Sequence, residues 1–263
     1  MNRNTRKISK HRITPCLHLA IMILSVLAGV GFVSEIRSET SDGLKIIVYG
    51  ASGRVGSRLV NEALNRGHKV TAVSRDPDKI EKRHDRLTAV KGDIVDPESV
   101  ARLIADHDVV VVSVRGNVDG SKDPENTVQR VAAEVLVGEL RDMGESAPRL
   151  IYVGGAGSLE IKPGVLYADG LPFFMPGFIR QEIRGHVLTL KYLRTIEDVQ
   201  WTYISPAKKF GPGKRTGSYR TGGDQMFYDK KGKSKISMED FAVALIDEAE
   251  NPEHVRERFS VAY

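Results

Sequence analysis

Residues 49–56 read Tyr-Gly-Ala-Ser-Gly-Arg-Val-Gly, with glycines at 50, 53 and 56 separated by Ala51, Ser52, Arg54 and Val55. Glycines at this spacing suit one kind of chemistry, the holding of an anion on the main chain. Gly50 permits a tight turn, Gly53 lets a pyrophosphate approach the backbone, and Gly56 allows close helix–strand contact. A helix beginning here adds free N–H groups and the positive end of its dipole. Downstream the chain reads Val73-Ser74-Arg75-Asp76. Arg75 can grip a second phosphate in a bidentate fashion and Ser74 can hydrogen-bond it. Alternatively Arg75 is solvated and Asp76 accepts from a ribose hydroxyl. Lys91-Gly92-Asp93-Ile94 adds an acid and an apolar side chain suited to an adenine amino group and ring, or else Asp93 is a turn residue. Together these residues point to a dinucleotide, with NADP(H) favoured over NAD(H) because Arg75 stands where an acid would otherwise select the unphosphorylated ribose.

The elements that must position these residues follow from periodicity. Leu44–Tyr49, Lys69–Ser74, Leu87–Lys91, Asp108–Ser113, Arg149–Val153 and Trp201–Ile204 are short apolar runs and read as strands. Residues Arg54–Arg66, Pro124–Gly144 and Phe178–Ile196 carry apolar residues at helical spacing, and Asp96-Pro97 is a helix start with Asp96 as N-cap. Strands buried on both faces and separated by helices predict an α/β, doubly wound parallel sheet of the Rossmann-like kind, as a single domain. The glycine loop then lies between the first strand and the first helix, and Ser113 and Val114 line the crevice after the fourth strand.

Composition excludes other classes. One cysteine, Cys16, rules out a disulfide scaffold, and the seven histidines show no H-x-H or H-x-x-x-H spacing, so no local metal site is expected. Residues 1–43 hold six of the 39 Lys/Arg and three of the 34 Asp/Glu, so residues 44–263 carry a net charge of only +2 and nucleic-acid binding is not expected. The basic stretch 1–16 precedes 17 uncharged, mostly apolar residues, 17–33. That order builds an export signal or an N-terminal anchor; a buried helix is the other reading. The expected organisation is a leader at 1–33, a polar linker at 34–43 and the folded body at 44–263. The body is membrane-anchored or exported through this leader, with 17–33 as the tether, or cytoplasmic if the leader is not a true signal. Sequence does not set the oligomeric state.

The chain resembles the atypical short-chain dehydrogenases/reductases. More narrowly, it is similar to the NAD(P)-binding NADH-flavin reductase group, related to biliverdin/flavin reductases and NmrA-like regulators. The segments that carry this are GASGRVG at 50–56, VSRDPDKI at 73–80, GDIVDPESV at 92–100, VGGAGSLE at 153–160, ISPAKKFGPGKRTGSY at 204–219 and DFAVALIDEAENP at 240–252. The resemblance implies a nicotinamide near the loops after the fourth, fifth and sixth strands. Gly154–Ser158 and Ser205–Phe210 would wall that pocket, with Pro206 fixing the turn after the sixth strand. The larger superfamily's Tyr-x-x-x-Lys pair is missing at every tyrosine. The helix at 178–196 offers Glu182, His186 and Lys191 instead, with His186 the candidate proton donor or else a satisfied helix histidine. The expected activity is hydride transfer from NADPH to a small-molecule acceptor such as a flavin or quinone. A non-catalytic NADP(H) sensor or a reductase/epimerase with displaced groups is the alternative. The basic segment 207–237 reads as a lid over an anionic substrate or as a solvated hairpin.

Overall fold

The computed structural model describes residues 43–263. The expected leader (1–33) and all but Gly43 of the expected linker (34–43) lie outside the described residues. Among the described residues no helix is long and apolar enough to cross a membrane.

In chain order the main elements are β1 (Lys45–Tyr49), α1 (Gly56–Asn65), β2 (Lys69–Ser74), β3 (Leu87–Lys91), α2 (Pro97–Ile104), β4 (Val109–Val112), α3 (Val128–Met143) and β5 (Arg149–Val153). There follow β6 (Glu160–Lys162), β7 (Val165–Leu166), α4 (Gly177–Leu193), β8 (Trp201–Pro206), β9 (Lys209–Gly211), β10 (Arg220–Gly222), β11 (Lys235–Ser237), α5 (Met238–Glu250) and β12 (Glu257–Ala262). Eight strands form one sheet in the order β10-β12-β8-β5-β4-β1-β2-β3, parallel throughout except for β10. Strand order reverses beside β1, and ligands of open α/β sheets bind above that switch point, at the carboxyl ends of the strands.

Alternation along each strand divides the core in two. Ile46 and Val48 face α1 and α5 with Leu59, Ala63, Phe241 and Leu245. Ile47 and Tyr49 face the other layer with Val100, Leu136, Leu190 and Trp201. Local signals set several boundaries. Gly67, at φ +83°, follows the end of α1. Asp96 caps α2 by accepting the Glu98 N–H at 3.2 Å, with Pro97 at the first helical position.

Three expectations are corrected. β3 is not buried on both faces, because it is the sheet edge and Thr88, Ala89 and Lys91 are exposed. The segment 207–237 is not a hairpin: β9 pairs parallel with β11, and β10 joins the main sheet antiparallel to β12. Pro206 is not in a turn; it is the last residue of β8, where it registers with Val261.

Candidate cofactor and substrate site

The three loop glycines do different work. Gly50 has φ +76°, and a Cβ built on it would lie 2.2 Å from the Ser113 carbonyl oxygen. A Cβ on Gly56 would lie 2.1 Å from the Gly50 carbonyl oxygen. Both are closed by the protein itself. At Gly53 a Cβ would meet only the Gly50 oxygen, at 3.1 Å, and the rest of its surroundings is open. The loop is tied down by the Gly50 and Ala51 N–H groups, which both donate to the Val73 carbonyl at 3.2 Å, and by Gly53 N–H to Gly50 carbonyl at 2.9 Å. Among the described residues nothing accepts from the amides of Arg54, Val55 or Gly56. The start of α1 also has no side-chain cap and no acid in its first turn. The positive end of this helix therefore faces the crevice uncompensated, as an anion site requires.

On one side of the loop lies a cavity of about 340 Å³ lined by Gly50, Ser52, Ser74, Arg75, Asp76, Lys79, Asp93, Ile94, Ser113 and Val114 among others. Ser74 is buried, and its hydroxyl is spent on shaping the loop: it lies 3.0 Å from the Ser52 hydroxyl, donates to the Asp76 carbonyl at 2.9 Å and accepts the Asp76 N–H at 3.2 Å. Arg75 is left as an exposed cation at the rim. Lys79 joins it, with Nζ 3.1 Å from Asp76 Oδ2. Sequence reasoning missed Lys79. Its signal was position: the single turn Pro77–Lys79 folds it back beside Arg75. Asp93 is a turn residue, since its Oδ1 accepts the Val95 N–H at 3.1 Å, and it also lines the cavity. Ile94 is buried in the core and forms part of the lining.

The second cavity, about 810 Å³, shares Ser52, Gly53, Ser113, Val114 and Arg115 with the first, also takes in Arg54 and Val55, and runs on to Gly154, Pro206 and α4. Its glycines serve packing. A Cβ on Gly154 would fall 2.2 Å from the Tyr203 ring, one on Gly157 2.3 Å from Ile183, and one on Gly155 3.0 Å from the His186 ring. The loop after β5 is thereby pressed against β8 and α4, which presents Glu182, Ile183 and His186 to the cavity. Burial pushes His186 down to about 4. Its Nδ1 lies 3.4 Å from the Tyr203 hydroxyl, which donates to the His186 carbonyl at 2.9 Å. Glu182, which the sequence offers with His186 and Lys191 in place of the missing pair, lies on the same face. Burial raises its pKa, outweighing the Gly116 N–H that donates to Oε2 at 3.2 Å. Across the cavity Lys208 Nζ sits 5.0 Å from the centre of the Tyr167 ring. Of the other cations in 207–237, Arg215 pairs with Glu62, Arg220 covers Phe227 and Lys235 covers Tyr263.

A dinucleotide fits these residues. The open face at Gly53, the unpaired amides at the start of α1 and the Arg75–Lys79 pair offer main-chain donors and cations where two sets of phosphates would lie. Comparison with known proteins agrees. The family model described as NAD(P)H-binding matches residues 50–252. A solved structure from Bacteroides thetaiotaomicron, provisionally named an epimerase, is 37% identical, covers 84% of this chain and 97% of its own, and superposes with a TM-score of 0.74. One from Burkholderia pseudomallei, provisionally named an exported protein, is 36% identical, covers 84% and 100% and gives 0.70. A third, from Streptococcus pneumoniae and provisionally named an NADH-flavin reductase, is 30% identical, covers 84% and 99% and gives 0.68. The glycine loop, the strand order and these relatives lead to one statement: the chain belongs to the NAD(P)H-binding family, in an atypical short-chain dehydrogenase/reductase-like group with a Rossmann-like fold.

Proposed function

We propose that this protein is an NADPH-dependent reductase of a flavin, quinone or similar conjugated acceptor. The observation that carries the reading is the pair of cavities joined at Ser52, Gly53 and Ser113–Arg115, of about 340 and 810 Å³. The smaller suits the adenosine half of a dinucleotide. The larger has room for a nicotinamide with a planar acceptor laid against it. When bound, the reduced nicotinamide supplies the hydride. The chain's part is to hold, orient and exclude water. Arg54, Val55 and Gly56 would donate their amides to the pyrophosphate, Arg75 and Lys79 would neutralise a 2′-phosphate, and Asp93 with Ile94 would border the adenine. Gly154 and Pro206 would wall the nicotinamide end. Among the described residues α4 has no Tyr-x-x-x-Lys pair, which suits an acceptor already electron-poor enough to need little activation. The name of the pneumococcal relative supports this class of acceptor, while that of the Bacteroides relative points to epimerisation instead.

Mixing the full-length protein with NADPH and either FMN or a simple quinone, and following loss of nicotinamide absorbance, tests the reading. Turnover with either acceptor supports it. Tight binding without turnover replaces it with the sensor reading. We also propose that residues 1–33 export or anchor the body. The Burkholderia relative's name supports this, and fractionation of cells expressing the whole chain decides it.

A further inference from the structure

On the cavity side of α4, Glu182 and His186 stand one turn apart. Glu182 Oε2 takes the Gly116 N–H, while Oε1 is buried without a hydrogen-bond partner and lies 3.7 Å from His186 Nε2. Behind them, Gly155 backs the His186 ring and Tyr203 approaches its Nδ1. Arg115, on the loop after β4, draws Glu182 toward its ionised form, but burial outweighs it; Arg54, Lys208 and Tyr167 line the same cavity. An ionised carboxylate with one oxygen buried and unpaired is costly, so the site favours the neutral acid. Burial moves the two groups in matching senses, Glu182 up and His186 down to about 4, so that it favours the uncharged form of each.

We propose that Glu182 is the proton donor of this cavity. The proposal rests on the reductase reading and narrows it to acceptors whose carbonyl oxygen or ring nitrogen gains a proton on two-electron reduction. The acceptor gains two electrons and one hydrogen as hydride from the reduced nicotinamide. It gains its second hydrogen as a proton from Glu182, whose O–H bond breaks as a new O–H or N–H bond forms. The carboxylate then regains a proton from water.

The test uses the full-length protein, wild type and with Glu182→Gln or Glu182→Asp. Wild-type kcat should fall as pH rises through the raised Glu182 pKa, because the protonated acid is the active form. Glu182→Gln should lower kcat about a hundredfold and flatten that limb while NADPH affinity holds, and Glu182→Asp should restore part of both. Independently of turnover, the infrared difference between wild type and Glu182→Gln, followed across pH, should contain the carbonyl stretch of a protonated carboxyl that persists to higher pH than in an exposed glutamate. A missing band, or a Glu182→Gln protein with wild-type kcat and pH limb, overturns the proposal alone. A wild type that binds NADPH but reduces neither FMN nor quinone overturns the reductase reading and this proposal with it.

Discussion

The two ends of the cleft are both built on glycine, and they use it in opposite ways. At the phosphate end Gly53 keeps a surface open, with only the Gly50 oxygen near its absent side chain. At the far end Gly154, Gly155 and Gly157 are filled from behind by Tyr203, His186 and Ile183. The first arrangement makes room for a ligand. The second makes room for the protein, drawing β5, β8 and α4 together until a histidine and a glutamate share one buried wall.

Substitutions can break this contrast. The largest effect is expected at Gly53→Val. The fold should survive with a thermal midpoint close to wild type, while calorimetric affinity for NADPH should drop by at least about a hundredfold, the scale set by losing two or more charge-assisted hydrogen bonds. Gly154→Ala should do the reverse. Its Cβ would enter the Tyr203 ring, so chemical denaturation should show a loss of about 1–3 kcal/mol, the usual result of overpacking. If Gly154→Ala proved as stable as wild type and merely bound less NADPH, the distinction between the two ends would fail.

A smaller effect sharpens the phosphate end. Arg75→Ala should weaken NADPH by about tenfold and leave NADH nearly unchanged, as expected when one exposed charge-assisted contact is removed. Equal losses for both would return the 2′-position to Asp76, against the Asp76–Lys79 pairing.

The smallest effect concerns acidity at the far end. His186 has a folded pKa of about 4, below the 6.5 of an unperturbed histidine. Between those values the unfolded chain binds the extra proton, so this residue makes stability fall as pH drops from about 6.5 toward 4. Comparing denaturation midpoints of wild type and His186→Gln across that window should show less acid sensitivity in the variant. Identical slopes would mean that the ring titrates normally.

Legibility in the sequence follows the same division. The β1–α2 half could be read because its signals are local: consecutive apolar residues make Lys45–Tyr49 a strand, and Asp96-Pro97 starts α2 within two residues. The far end is legible only through the family resemblance, which gives Gly154–Ser158 and Ser205–Phe210 as its walls; that Ile183 and Tyr203 back those glycines is decided by packing alone. Pro206 looks like a turn former in sequence, yet it can end a strand because the backbone N–H it lacks is not needed there. α5 is hard to see by periodicity because residues 241–246 are all buried, leaving no polar stripe. β12 extends the sheet beyond β8 by pairing with a strand more than fifty residues earlier, a partner that no local pattern announces.

The most direct measurement is a calorimetric titration of the full-length protein with NADPH and with NADH under the same conditions. The expected result is saturable binding of one NADPH per chain, clearly tighter than NADH. No binding, or tighter binding of NADH, would contradict the assignment of the glycine loop and of Arg75.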